Sequence, residues 1–222
     1  MFRTYIVKLN RLVVVVMEED YFAEASIPEY KSDIPILGLG EYREDQGEDD
    51  FSRKQTWFYV YGDDEIEEEF FKELKNIVNS RFVDDELNWD FMTLYPTHVK
   101  GEVNPNMENL LKQVASETGI NYNQVLERNK TIRENHELDS KRAKVVNLAE
   151  SVDVKDFNGE NVILFDNLAL TGTSVVHGAN KLIEEGAENV FVIVLGIGEE
   201  MPGKKLTERE KKASTLMNRG EE

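Results

Sequence analysis

Residues 162–195 read VILFDNLALTGTSVVHGANKLIEEGAENVFVIVL. Two uninterrupted apolar runs, VILF at 162–165 and VFVIVL at 190–195, lie on either side of a segment that predicts a helix from about Ser174 to Glu185, ended by Gly186. Fully apolar strands separated by a helix are typical of a parallel sheet that is covered on both faces. The stretch therefore predicts a β-α-β unit and an α/β domain.

The turn between the first strand and the helix carries the residues with the clearest chemistry. Asp166 and Asn167 leave the strand as hydrogen-bonding side chains, and Gly172 lets the backbone approach a ligand without an intervening Cβ. Successive amide groups at such a turn can converge on an anion, and a carboxylate such as that of Asp166 accepts hydrogen bonds from ribose hydroxyls. The pattern predicts a ribose-phosphate site formed by Asp166, Asn167, Ala169, Leu170, Thr171, Gly172, Thr173 and Ser174.

A purely local interpretation of the same turn stays open at this point. Asp and Asn are favoured in turns, and Ser is favoured at the N-terminal cap of a helix, for reasons unrelated to a ligand. In that interpretation Asp166 and Asn167 form a turn and Ser174 caps the helix. The order of strand, paired polar residues, small hydroxyl residues and helix favours phosphate binding.

The residues upstream continue the alternation of strand and helix. FMTLY at 91–95 predicts a strand, and 107–118 predicts a helix that ends at Gly119. A short strand is predicted near Val125 and Leu126, and the apolar run VVNLA at 145–149 predicts another strand. The fold class predicted for residues 90–198 is thus α/β, with a central parallel sheet flanked by helices.

The N-terminal third has a different character and predicts an α+β subdomain or hood over residues 1–85. Residues 4–17 predict a strand pair around a turn at Asn10, residues 18–55 predict loop with short strand pieces, and WFYVY at 57–61 predicts a buried strand. Apolar residues at three- and four-residue spacing predict a helix over 64–82 with an N-terminal cap near Asp63. Residues 199–222 predict a charged helix or tail.

The composition excludes several classes of function. The 222 residues include 44 acidic and 26 basic side chains, giving a net charge of −18, which argues against binding nucleic acid through bulk charge. The chain has no cysteine, so disulfides, thiolate nucleophiles and iron–sulfur sites are excluded. The longest apolar run, 12–17, is far shorter than the roughly 20 residues that a membrane span needs. We expect a cytoplasmic protein without a membrane segment, and a homodimer stays open.

Residues 128–144 reverse the sign of the charge. The segment holds six basic residues against three acidic ones, which is 6 − 3 = +3 within a chain of −18. A polyanionic substrate would need such a local reversal, and we expect Arg128 and Arg142 to bind phosphate, because guanidinium groups bind oxygen pairs in a fork. An ordinary solvated helix with internal ion pairs is the alternative.

Residues 162–195 resemble the phosphoribosyl-pyrophosphate signature of type I phosphoribosyltransferases, in which an apolar strand, two acidic residues and a T-T-G-type loop precede a helix. The upstream segments FMTLYPTHVKG, NMENLLKQVASETG, VLERNK and HELDSKRAKV are most similar to the ComF-type branch. The resemblance covers residues 90–198. Asn167 stands in place of the second acidic residue, Leu170 in place of the first threonine, and the cysteine-bearing module common in that branch is absent.

The resemblance implies a site and a reaction. It assigns the ribose to Asp166 and Asn167, the 5′-phosphate to Leu170–Ser174, and the pyrophosphate to the loop from Thr97 to Lys100. His98, on that loop, would contact the pyrophosphate or act as an acid, although a lone loop histidine is more often simply solvated. Mg²⁺ is the implied cofactor, reaching Asp166 through the substrate.

Two functions follow from the resemblance. The first is an enzyme that transfers the phosphoribosyl group of phosphoribosyl pyrophosphate to a nucleobase-like nitrogen acceptor with release of pyrophosphate, or that runs the reverse reaction from a nucleoside monophosphate. The second is a non-catalytic sensor or accessory protein, because Asn167 has no charge with which to stabilise a developing cation. A DNA-uptake accessory role, suggested by the ComF-type likeness, fits poorly with the acidic surface and the lack of a helix-turn-helix pattern.

Overall fold

The computed structural model describes residues 5–9, 12–16, 21–25, 34–43, 50–83, 87–134, 137–138, 140–157 and 161–198. For residues 5–25 and for Lys141 and Arg142, only the backbone is described. The strands are β1 Tyr5–Leu9, β2 Leu12–Val16, β3 Tyr21–Ala25, β4 Ile34–Tyr42, β5 Phe91–Leu94, β6 Asn121–Tyr122, β7 Leu126–Arg128, β8 Val152–Val154, β9 Asn161–Ala169 and β10 Asn189–Gly198. The helices are α1 Asp50–Tyr61, α2 Asp64–Val78, α3 Pro105–Thr118, α4 Lys141–Leu148 and α5 Thr173–Glu184, and a π-helical turn, Asn79–Val83, extends α2.

A six-stranded sheet organises the described residues, in the order β3-β4-β10-β9-β5-β6. Strands β4, β10, β9, β5 and β6 run parallel, and β3 pairs antiparallel to β4 at one edge. This confirms the predicted central parallel sheet. From β5 the chain crosses through α3 to β6 on one side, and from β9 it crosses through α5 to β10 on the other. The order therefore reverses between β5 and β9, and the carboxyl ends of those strands form the crevice where α/β sheets bind ligands.

Both faces of the sheet are covered by helices, as the fully apolar strands require. Alternate residues of β9 and β10 pack with α5 on one face, and the intervening residues pack with α1, α2 and α3 on the other. Asp63 caps α2 by accepting hydrogen bonds from two backbone amides, and Gly119 ends α3 in the left-handed conformation. The predicted helices at 64–82, 107–118 and 174–185 are confirmed with small shifts of their ends.

Two predicted strands are helices, and both predictions were wrong. Residues 57–61 form the last turns of α1, in which Phe58 is buried while the side chains of Trp57 and Tyr61 are 50% and 68% exposed. Residues 145–148 belong to α4, where Leu148 is buried and Val146 is 67% exposed. In each segment the buried and exposed residues alternate with the period of a helix, which tertiary packing favours over the β-propensity of aromatic and β-branched side chains.

The N-terminal segment contributes a strand to the main sheet and helices to one of its faces. Strand β4 lies beside β10, and α1 and α2 pack in the same core as α3. Residues 34–42 are thus a nine-residue strand rather than part of a loop. The predicted strand pair is confirmed as the antiparallel pair β1-β2, whereas its turn at Asn10 and the predicted tail at 199–222 lie outside the described residues.

Within the described part of the chain, no helix is both long enough and apolar enough to cross a membrane.

Candidate functional site

A cavity of about 580 Å³ opens beyond the carboxyl ends of β5 and β9. The cavity lies where the strand order reverses, and loops and the N-termini of helices surround it. Ten of the predicted site residues line it, and so do several residues that the sequence did not single out. The lining residues are Tyr42, Tyr59, Tyr95, Pro96, His98, Arg128, Ile132, Arg133, Glu134, Lys144, Leu148 and residues 166–175.

The turn from β9 to α5 forms one wall of the cavity. Gly172 occupies the N-terminal cap of α5 with φ of 73°, a left-handed conformation that glycine adopts without strain. No side chain caps α5, whereas Asp63, Asn104 and Ser140 cap α2, α3 and α4. The hydroxyls of Thr171 and Thr173 hydrogen-bond each other at 2.9 Å. The first amides of α5 therefore lie without a side-chain cap at a wall of the cavity.

This geometry contradicts the purely local interpretation of the turn. Strand β9 continues to Ala169 and pairs with β10 as far as Ile197, so Asp166 and Asn167 lie within the strand and do not form a turn. The N-terminal cap of α5 is Gly172 rather than Ser174. The purely local interpretation is therefore wrong on both points.

Asp166 places a carboxyl group with a raised pKa at the cavity wall. Burial raises the pKa of Asp166 to about 7, although the amide of Asn167 and the positive charge of Arg128 act in the opposite direction. The amide of Asn167 donates to the carboxylate of Asp166 at 2.8 Å. Asn167 is held in turn by Gln55 of α1, whose side-chain amide donates to the Asn167 carbonyl oxygen at 3.3 Å. The N-terminal segment thus supports the end of β9.

Arg128 lies at the cavity wall but is engaged by the protein. Its buried guanidinium donates to the carbonyl oxygens of Thr97 at 2.8 Å and Pro96 at 3.3 Å, and to the Ser151 hydroxyl at 2.6 Å. It also lies 5.3 Å above the ring of Tyr95. These contacts indicate that Arg128 fixes the loop after β5 and places a positive charge behind the cavity.

The other predicted pyrophosphate residues are distributed differently from the expectation. His98 lines the cavity, with its Nε2 3.5 Å from a carboxylate oxygen of Glu134. Thr97 and Lys100 lie outside the lining, because the loop turns its polar groups toward Glu102 and Thr131. Arg142 is the second residue of α4, and only its backbone is described.

Tyr59 lines the cavity, although the sequence of residues 57–61 favours a buried strand over an aromatic surface on which a base stacks. The side chains of Asn104 and Asn106 donate to the carbonyl oxygen of Tyr59 at 3.0 and 3.1 Å, which ties the end of α1 to the start of α3. Burial raises the pKa of Tyr59 to about 12, aided by the charges of Asp166 and Glu134 and opposed by a hydrogen bond from Asn104. Its hydroxyl therefore stays protonated and can donate a hydrogen bond into the cavity. The helical spacing of Gln55, Phe58 and Tyr59 could have revealed this position.

A metal ion at this site would be held largely by oxygen atoms of the bound substrate. No group of three His, Asp or Glu side chains that could bind a metal occurs among the residues the structure describes. Among the described residues that line the cavity, Asp166 and Glu134 carry carboxylates, and of these two Asp166 lies in β9 at the end of the sheet. Mg²⁺ is often bound by one or two carboxylates together with substrate phosphates, and this donor set fits that mode.

Comparisons with known proteins leave the family open. The sequence matches no family model and no curated protein. The structure is similar to the "allosteric regulatory enzyme of purine biosynthesis" and to the glutamine phosphoribosylpyrophosphate amidotransferase of B. subtilis, each at 17% identity and TM-score 0.40, over 63% of this chain and 30% of the other. It is also similar to adenine phosphoribosyltransferase of Leishmania tarentolae, at 14% identity and TM-score 0.38, over 60% of this chain and 72% of the other. At these scores the similarity carries no argument about activity.

Proposed function

We propose that the cavity binds the ribose 5-phosphate portion of phosphoribosyl pyrophosphate or of a nucleoside monophosphate. The protein would then be a phosphoribosyltransferase-type enzyme that uses a nucleobase-like nitrogen acceptor. The observation that carries this proposal is the meeting, in one cavity, of the α5 N-terminus without a side-chain cap and the carboxylate of Asp166.

The 5′-phosphate would lie at the start of α5. Amides in the first turn of a helix carry partial positive charge and lack partners within the helix, so they favour a dianion. The hydroxyls of Thr171 and Thr173 lie beside those amides. A phosphate ester at this position would contact the protein through hydrogen bonds that water otherwise supplies.

The ribose would lie over the end of β9, where Asp166 accepts hydrogen bonds from its hydroxyls. A carboxylate with a pKa of about 7 is only partly ionised at neutral pH, and a cationic centre developing nearby favours its charged form. Asp166 would therefore orient the sugar and stabilise positive charge at C1. Asn167 would contribute hydrogen bonds without charge.

The reaction follows from this placement. The bond from C1 to the pyrophosphate oxygen breaks, the pyrophosphate leaves with the electron pair, and the acceptor nitrogen bonds to C1 and loses its proton. The chain contributes positioning and electrostatic stabilisation. Mg²⁺, held by substrate oxygens and Asp166, would supply positive charge that neutralises the pyrophosphate.

The acceptor would lie beside Tyr59. Its hydroxyl remains a hydrogen-bond donor, and its ring offers a flat surface at the cavity wall, a combination that suits a planar nitrogen heterocycle. We expect Tyr59→Phe to raise the acceptor KM more than it lowers kcat, because in this placement the hydroxyl contacts the acceptor rather than the leaving group. Equal losses in both parameters would contradict this role.

A sensor or accessory protein of the ComF-like kind is the second candidate, and two observations favour it. Asn167 supplies no second negative charge, and Thr97 and Lys100 lie outside the cavity. Such a protein would bind the activated sugar without transferring it.

Calorimetry with phosphoribosyl pyrophosphate, with and without Mg²⁺, tests binding, and a pyrophosphate-release screen over a panel of nucleobases tests transfer. We expect Asp166→Ala to abolish most binding or turnover and Asn167→Ala to reduce it less. Binding without release for any acceptor would favour the sensor. Wild-type affinity in Asp166→Ala would contradict both functions.

A further inference from the structure

Two positive side chains on the cavity wall have no acidic partner among the residues that the structure describes. Arg133 and Lys144 both line the cavity, and neither makes an ion pair with a carboxylate among the described residues. Glu134, the acidic residue next to Arg133, is 3.5 Å from His98 instead. In a chain with 44 acidic residues, two cations at one cavity wall that pair with no described carboxylate indicate an anionic guest.

The start of α4 places its charges against the preference of a helix. The first four residues, KRAK at 141–144, include three basic residues and no acidic one. The N-terminus of a helix carries partial positive charge, so cations there are unfavourable for the helix itself. Helix stability therefore does not account for Lys144, whereas an anion at the cavity would.

Hydrogen bonds tie the segment of Arg133 to the loop after β5 and to α4. The amide of Ile132 donates to the carbonyl oxygen of His98 at 3.0 Å, which joins this segment to the loop after β5. The side chain of Asn147 donates to the carbonyl oxygen of Arg133 at 2.8 Å, which joins the same segment to α4. These two bonds fix the backbone of Arg133 and tie it to the helix that carries Lys144.

We infer that Arg133 and Lys144 form a second anion subsite of the cavity, separate from the amides of α5. The inference rests on the proposed function and names the second charged group of its substrates. That group is either the pyrophosphate of the activated sugar or a carboxylate on the nitrogen acceptor. Both chemistries suit one guanidinium and one ammonium group that form no ion pair within the described part of the chain. Thr97 and Lys100, outside the cavity, have no part in it.

The test compares the affinities of four probes for the wild-type chain and the double variant Arg133→Met/Lys144→Met. The probes are ribose 5-phosphate, inorganic pyrophosphate, phosphoribosyl pyrophosphate and a carboxylated pyridine, titrated by calorimetry at fixed ionic strength. The control is Arg53→Met/Lys72→Met, which removes the same charge from exposed positions on α1 and α2 outside the cavity. Lys144→Met alone serves as a folding check, because removing a cation from the start of α4 is not expected to lower the thermal midpoint.

We expect the double variant to lose at least about tenfold in affinity for pyrophosphate and phosphoribosyl pyrophosphate, or for the carboxylated pyridine, while ribose 5-phosphate changes less than about twofold. Which of the two anions loses affinity identifies the source of the second charge. Equal losses for ribose 5-phosphate would mean that the cations belong to the α5 site, and unchanged affinity for every probe would exclude them from any site. Either result overturns the subsite.

The wild-type chain separates this inference from the proposed function. Binding of pyrophosphate or the carboxylate that depends on Arg133 and Lys144, without any binding of ribose 5-phosphate, would contradict the proposed function and retain the subsite. If ribose 5-phosphate and the other probes bind equally well with and without the two cations, the proposed function is retained and the subsite is overturned. Failure of all probes to bind at about 1 mM would overturn both.

Discussion

The loop after β5 and the turn after β9 lie at the same edge of the sheet, yet they use their polar groups in opposite ways. In the loop after β5, the amide and hydroxyl of Thr97 both donate to the carbonyl oxygen of Glu102, and the amide of Lys100 donates to Thr131. Arg128 binds two further carbonyl oxygens of that loop. The polar groups of the loop after β5 are therefore largely hydrogen-bonded within the protein.

The turn after β9 is arranged in the reverse sense. Gly172 begins α5 without a side-chain cap, and the residues on both sides of it line the cavity. An amide that no protein group accepts must be satisfied by water or by a ligand. The contrast teaches that position at the carboxyl edge of a sheet does not make a binding loop, since the decisive property is whether the donors are already engaged.

Ser174→Asp should have the largest effect, because it places a fixed negative charge in the turn after β9, where we propose that the phosphate binds. Two unit charges about 4 Å apart repel by about 4 kcal/mol at an effective dielectric of about 20, so sugar-phosphate affinity should fall more than about 100-fold. The same change should raise the free energy of unfolding by about 0.3–1 kcal/mol, because an acidic residue suits the start of a helix. Calorimetry and urea titration measure the two quantities.

Ser80→Asp, at an exposed position outside the cavity, is the charge-matched control. Equal loss of affinity in both variants would assign the effect to net charge rather than to the turn.

Arg128→Met tests the engaged side of the contrast. Methionine keeps the length of the stem but leaves the oxygens of Pro96, Thr97 and Ser151 without their donor, so we expect the free energy of unfolding to fall by about 2–4 kcal/mol. The midpoint of guanidinium unfolding at unchanged slope is the measurement. A wild-type midpoint combined with lost phosphate affinity would instead make Arg128 a ligand.

Asp166→Asn tests the end of β9 through the pH dependence of the free energy of unfolding. The native carboxyl keeps its proton to about pH 7, whereas the unfolded chain releases it near the ordinary value of 3.8, so the native state binds more protons between these limits. Rising pH should therefore lower the free energy of unfolding of the wild type relative to Asp166→Asn by on the order of 1 kcal/mol per pH unit across that window.

Urea titrations of both proteins at several pH values give this difference directly. The comparison is needed because burial lowers the pKa of His177 to about 4, which changes stability in the opposite direction with pH and is common to both proteins. A difference between the two proteins that does not vary with pH would contradict the raised pKa of Asp166.

Thr97→Val and Thr171→Val form a matched pair with the smallest expected effects. Thr97→Val should cost about 1 kcal/mol of stability and change sugar-phosphate affinity less than about twofold, because its hydroxyl binds within its own loop. Thr171→Val, which removes a hydroxyl at the cavity wall, should weaken binding about fivefold or more. The reverse order of affinity losses would show that the two loops had been assigned the wrong way round.

The sequence predicted the part of the fold where composition and period agree. The strands at 162–165 and 190–195 contain nothing but apolar residues, and the intervening helix has a glycine at its end, so local preference and tertiary packing favour the same answer. Ten of the predicted site residues accordingly line one cavity.

The sequence failed where packing overrides local preference. Gly38 and Gly40 resemble loop residues, yet they lie in β4 and pair with β10, and side chains of Ile197 and Phe51 pass within 2.6 Å of where a Cβ would be. Those contacts join residues far apart in the chain. The orientation of Lys100 and the cavity position of Arg133 likewise depend on hydrogen bonds between loops, which no local pattern encodes.

Backbone amide shifts in ¹H–¹⁵N correlation spectra, recorded as ribose 5-phosphate is added, distinguish the two loops in one experiment. We expect progressive shifts of the Gly172, Thr173 and Ser174 amides and unchanged Thr97, Lys100 and Gly101 amides, because no side chain caps α5 whereas the amides of the loop after β5 are bound within the protein. Shifts confined to the loop after β5, or no shift at either loop, would contradict this expectation.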